Sequence, residues 1–115
     1  MARHFVRARL TAVGADAELV EDAELVTSEL VTNAVMHAGT PVHVAVVVDD
    51  AGVTLEVHDR NAAPPRLGAA ASPGARAGRG LGLVDALSSD WGFARGRGGK
   101  VVWARFVGRR QGWPG

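Results

Sequence analysis

A chain of 115 residues with 47% apolar side chains is long enough for one hydrophobic core and too short for two, since domains usually run to about 100–200 residues. It holds no cysteine, which excludes disulfides, thiolate zinc sites and a cysteine nucleophile together. The net charge of +1 conceals an asymmetry: residues 1–57 carry three Arg against nine acids, and residues 58–115 carry ten basic residues against three acids. A basic half suits an anionic partner, whether nucleic acid, a nucleotide's phosphates or an acidic protein, and charge alone does not choose among them. Twelve of the thirteen basic residues are Arg, which genomic base composition explains as readily as function does. No apolar run approaches the roughly 18–20 residues that span a bilayer, and the first seven residues lack the apolar stretch of a signal peptide. The expectation is a cytoplasmic protein without membrane insertion.

In chain order, residues 2–13 read as a helix with Phe5, Val6, Leu10 and Val13 on its apolar side, broken by Gly14. Asp16 offers an N-cap to a second helix from about Ala17 to Ala38, where Leu19, Ala23, Val26, Leu30 and Ala34 recur every three or four residues and Gly39 stands as C-cap. Val42 to Val48 and Val53 to His58 read as a hairpin turning at Asp49-Asp50-Ala51-Gly52. Residues 60–80 hold Pro64-Pro65 and Ser72-Pro73-Gly74, too broken for a helix and too long for an idle connection, so the stretch from Arg60 to Arg79 reads as a lid. A short helix is expected over Leu81 to Leu87, then a second hairpin from Trp91–Ala94 and Lys100–Val107, with Trp91 and Trp103 in the core. Positions 108–115 read as a frayed tail. The whole is one domain over 1–115. Early helices and two hairpins split by a helix describe an α/β two-layer sandwich, its sheet mixed and mainly antiparallel, with helices on one face. The alternating βαβ pattern of a doubly wound nucleotide fold is absent.

Three features bear on chemistry. Glu29, Asn33 and His37 lie four residues apart on the long helix, so they form one stripe beside the Val26, Leu30, Ala34 stripe, at the rim of the core. That is an ordinary polar border, or a carboxylate base beside an amide oxygen suited to Mg²⁺, a cation that prefers hard oxygen donors. Asp59 ends a strand, where an acid either forms a turn or accepts a hydrogen bond from an adenine amino group. Gly78-Arg79-Gly80-Leu81-Gly82-Leu83 either makes a flexible turn or lets backbone N–H groups approach phosphates at a helix start. It lacks the Lys-Ser/Thr ending of a P-loop. His4, His43 and His58 share no metal-ligand spacing, and Arg109-Arg110 is too short to argue for direct nucleic-acid binding.

In their order along the chain, these motifs resemble the Bergerat-fold ATPases, which include gyrase, the heat-shock chaperone and sensor histidine kinases. The sequence is most similar to the small anti-sigma-factor serine/threonine kinase branch, from about residue 3 to residue 107. The resemblance implies that Glu29 is the general base, Asn33 the magnesium ligand and Asp59 the adenine reader. It also implies that Gly78, Arg79, Gly80, Leu81 and Gly82 form the phosphate loop and that Gly99 belongs to the final hairpin motif. Two departures stand out: Asn61 and Ala63 replace glycines after the adenine aspartate, and Lys100 stands where a threonine is often found. The implied cofactors are ATP and Mg²⁺, and the implied partners a sigma factor and an anti-sigma-factor antagonist protein. The branch's tendency to dimerise implies a homodimer, which no residue of this chain proves. The competing readings are a nucleotide-sensing interaction module that transfers no phosphate and, far behind, a basic nucleic-acid binder.

Overall fold

The structure is a computed structural model that describes residues 2–38, 41–61, 76–96 and 98–108, without the side chains of 37, 38 and 76–81. The lid expected over Arg60 to Arg79, the Gly39 cap and the tail beyond 108 fall largely or wholly outside the described residues. The elements run α1 (Ala2–Ala12), α2 (Ala17–Ala38), β1 (His43–Val48), β2 (Gly52–Asp59), α3 (Arg76–Leu87), β3 (Asp90–Gly96) and β4 (Gly99–Val107). Among the described residues no helix is long and apolar enough to cross a membrane.

Helix α1 ends where Gly14 takes φ 84°, a left-handed conformation that a side chain would strain. Two residues on, Asp16 Oδ1 accepts the Leu19 N–H at 2.8 Å and caps α2. The two helices are then clamped together, as Arg7 donates to both carboxylate oxygens of Glu24 at 3.0 and 2.7 Å. On α1 only Val6 and Leu10 are buried; Phe5, expected on the apolar side, is exposed, because one narrow i, i+4 stripe covers all that α1 buries on α2.

The strands stand in the order β1-β2-β4-β3, and all three pairings are antiparallel. The expectation was a mixed, mainly antiparallel sheet; the antiparallel character holds, and the order explains why no parallel pair forms. β2 and β3 run in the same direction across the α3 crossover, but β4 inserts between them, so they never pair. Alternation decides the faces. Val53, Leu55, Val57 and Asp59 of β2 lie opposite Phe106, Ala104, Val102 and Lys100 of β4 on one face. The apolar members of that set are buried with Val6, Leu10, Leu19, Val26, Leu30 and Val84 of the three helices in one core. Each Val, Leu or Phe among them contributes roughly 1.5–3 kcal/mol on leaving water. Trp91 packs at the edge of this core, but Trp103 does not: it has the parity of Arg105, lies on the helix-free face, and covers Gly92, where a Cβ would stand 2.9 Å from its ring.

The β1–β2 turn is held by Asp49, whose Oδ1 accepts from the N–H groups of Ala51 and Gly52 and from Arg105 of β4 at 2.8, 3.0 and 2.9 Å. The Arg105 hydrogen bond, followed by the backbone donors, lowers the Asp49 carboxyl from 3.8 to about 2. A depressed carboxyl stabilises the fold above its ordinary range, and that contribution is lost as pH falls through the folded value. Stability is therefore expected to fall between about pH 4 and pH 2, and Asp49→Asn should flatten that limb in a urea-unfolding series against pH. Glu24, lowered by its Arg7 hydrogen bond, titrates on the same limb, so the variant should retain part of the slope. An unaltered slope in Asp49→Asn would show that the turn carries none of it. Gly108, read from the sequence as the start of the frayed tail, is tied to this turn, its N–H donating to the Ala51 carbonyl at 2.7 Å.

Candidate functional site

β2 and β4 end side by side, and their last inward positions carry opposite charges. Asp59 is paired in register with Lys100. Its side chain is fully buried and that of Lys100 is 6% exposed, with Nζ 2.9 Å from Asp59 Oδ2. The two groups thus form a buried ion pair, with the Lys100 ammonium as the partner of Oδ2. The other oxygen, Oδ1, accepts the Asn61 N–H at 2.8 Å, and Lys100 Nζ donates to the Asn61 carbonyl at 3.1 Å. Asn61, one of the two expected departures, thus closes an Asx turn of ordinary negative φ, with no left-handed residue required.

The backbone here admits nothing larger than glycine at position 99, because a Cβ there would overlap the Asp59 carbonyl oxygen. That close approach gives Gly99 a reason: it lets β4 start flush against the end of β2 and delivers Lys100 to Asp59. A cavity of about 350 Å³ opens at this end of the sheet, bounded by His58, Asp59, Arg95, Gly99 and Lys100 among others. Its size is at the low end for a small-molecule site.

Glu29 and Asn33 lie on α2 as half-buried residues, at the rim of the core where their spacing put them. Neither borders the cavity at the end of the sheet. Of His37 only the helical backbone is described. The glycine run differs from expectation: the helix starts at Arg76 rather than Leu81, so Gly78, Arg79, Gly80, Leu81 and Gly82 lie within the first two turns of α3. The backbone N–H groups left without intrahelical acceptors are then those of residues 76–79. Gly82 is exposed, and a Cβ there would meet nothing within 4 Å. Three glycines cost about 0.8–1.0 kcal/mol each relative to Ala in a helix, so α3 is held by packing of Val84 into the core and by Trp91, whose indole N–H donates to Asp85 at 3.0 Å. Among the described residues no group of three or more His, Asp or Glu side chains is placed to hold a metal.

Helices on one face of an open antiparallel sheet make this a two-layer α/β sandwich, with a buried acid at the sheet's end. Residues 1–106 match the model of the histidine kinase-like ATPase domain, and the chain belongs to that family. It is an ATP-binding domain of that kind. No curated relative matches the chain.

Proposed function

We propose that the protein is an ATP- and Mg²⁺-dependent serine/threonine protein kinase that binds a sigma factor and phosphorylates a hydroxyl of an anti-sigma-factor antagonist protein. The observation that carries the nucleotide part is Asp59, a buried carboxylate at the end of β2, held by Lys100 and by the Asn61 turn beside a cavity. Such an acceptor suits the amino group of adenine and meets an oxygen on the matching edge of guanine. For the metal, Asn33 offers one hard oxygen on the half-buried rim of α2, a donor set that fits Mg²⁺ when phosphate oxygens and water complete the shell. Mg²⁺ there would neutralise charge on the phosphates. Backbone N–H groups at the start of α3 bind the phosphates, and Glu29, one turn before Asn33, orients or deprotonates the attacking hydroxyl.

Asp59→Asn is expected to weaken ATP binding by about 1–3 kcal/mol, the range for a lost hydrogen bond to a charged group. Calorimetry with ATP and GTP on the folded wild type and variant checks it, and equal affinity of the wild type for both nucleotides would end the assignment of Asp59 as base reader. Incubation with radiolabelled ATP and candidate antagonist proteins tests transfer. The departures from the family motif at Asn61, Ala63 and Lys100 favour a second reading, a module that binds nucleotide and partners without transfer. Binding without labelling of any native partner would select it.

A further inference from the structure

We infer that the open edge of β1 is an interface for a second copy of this chain: the two β1 strands pair antiparallel about a two-fold axis through Val46 and join two four-stranded sheets into one. The inference is independent of the nucleotide reading. β1 is the last strand on its side of the sheet, and among the described residues its one neighbour is β2. The Asp49 N–H donates to the Gly52 carbonyl at 2.9 Å, and hydrogen-bonded and non-hydrogen-bonded pairs alternate from there along the register. Val47, Ala45 and His43 therefore turn their backbone groups to β2, while Val48, Val46 and Val44 turn theirs to the open edge.

Natural sheets guard such edges with charged side chains, proline or bulges. The opposite edge, β3, carries Asp90 and Arg95 and two glycines. β1 has no such device: His43–Val48 reads HVAVVV and keeps an unbroken register with β2. The core is also unfinished on this side. Val44, Val46 and Val48 are only partly buried, whereas their β2 partners Val57, Leu55 and Val53 are 1% exposed or less.

A second copy is the occupant because the strand is complementary to itself. An axis at Val46 sets Val44 opposite the second copy's Val48 and Val46 opposite its own equivalent, so each open N–H meets a carbonyl and the contact is isologous. Three pairs of β-branched side chains then form on the helix-bearing face. On the other face Ala45 meets the second copy's Val47, a valine exposed in the single chain. His43 meets the second copy's Asp49, so a carboxylate that is 49% exposed faces an imidazole rather than another acid.

Sedimentation equilibrium of the intact chain over a concentration series tests this. The average mass of the wild type should rise toward twice that of the chain. Val46→Pro removes the central open N–H and leaves the β2 ladder alone, at a kind of position where edge strands tolerate proline. It should keep the wild-type circular dichroism and stay monomeric. The chain holds no cysteine, so Val46→Cys gives a second measurement that does not depend on the proline variant folding. At the axis the two Cα atoms would stand about 5.5 Å apart, within disulfide range, and air oxidation should give a covalent dimer. Val44→Cys should give none, because its two equivalents lie four residues out of register, roughly 13 Å along the strand. A monomeric wild type, a dimer that survives in folded Val46→Pro, or equal cross-linking at positions 44 and 46 overturns the proposal.

Discussion

Lys100→Met is expected to cost about 3–5 kcal/mol of folding stability, the range found when one member of a buried ion pair is removed and the other charge is left behind. The magnitude follows from burial rather than from distance. Asp59 has no exposed side-chain surface, so water cannot take the place of the ammonium, and Oδ2 would be left with neither a hydrogen bond nor a charge. Surface pairs in the same chain give the contrast. Arg105 and Asp49 meet at the same 2.9 Å, yet the Asp49 side chain is 49% exposed, and solvent replaces much of whatever that pair contributes. Urea unfolding of wild type, Lys100→Met and the double variant Lys100→Met with Asp59→Leu checks the argument. The double variant should recover most of the loss, because it removes the buried charge along with its partner. A loss below about 1 kcal/mol in the single variant would mean that the site admits water, against the burial described.

Much of this architecture is written locally. The cap at Asp16, the stop at Gly14 and the bounds of α2 depend on residues within a few positions of one another, and all three are legible before any tertiary contact is known. The same holds for the β1–β2 hairpin, whose turn is a backbone and side-chain motif of four consecutive residues. The start of α3 was not legible, because three glycines argue against a helix by propensity, and what holds it is packing against α2 and β3.

The charge pair is a subtler case. Asp59 shares parity with Val53, Leu55 and Val57, and Lys100 with Val102, Ala104 and Phe106, so both point inward with the core. A strand position of core parity that carries a charge requires a counter-charge. That signal was present in the sequence, but the neighbour relation of β2 and β4 was not, since two hairpins can join along either of their edges. Parity would also have turned Trp103 outward with Arg105. Lys100, read in the sequence as a departure from a motif, is in the structure the partner of the motif's own acid.

The largest effect on activity is expected from Glu29→Gln, which keeps the shape of the side chain and removes its charge. If the protein is a kinase, single-turnover phosphoryl transfer to the antagonist protein should fall by about 10²–10⁴-fold, the range for loss of a general base. Nucleotide affinity should stay nearly unchanged, because a base acts on the hydroxyl in the transition state and adds little to ground-state binding. Folding should be unaffected too, since Glu29 is a half-buried rim residue outside the core cluster, with Val26 and Leu30 carrying the adjacent buried stripe. Asn33→Ala offers the control, for a lost metal ligand weakens Mg²⁺-dependent nucleotide binding as well as turnover. The two variants therefore separate on one pair of measurements, calorimetry with MgATP and single-turnover labelling. Transfer by Glu29→Gln at the wild-type rate would remove Glu29 from the chemistry. A parallel loss of MgATP affinity in Glu29→Gln would instead make it part of the metal and phosphate site beside Asn33.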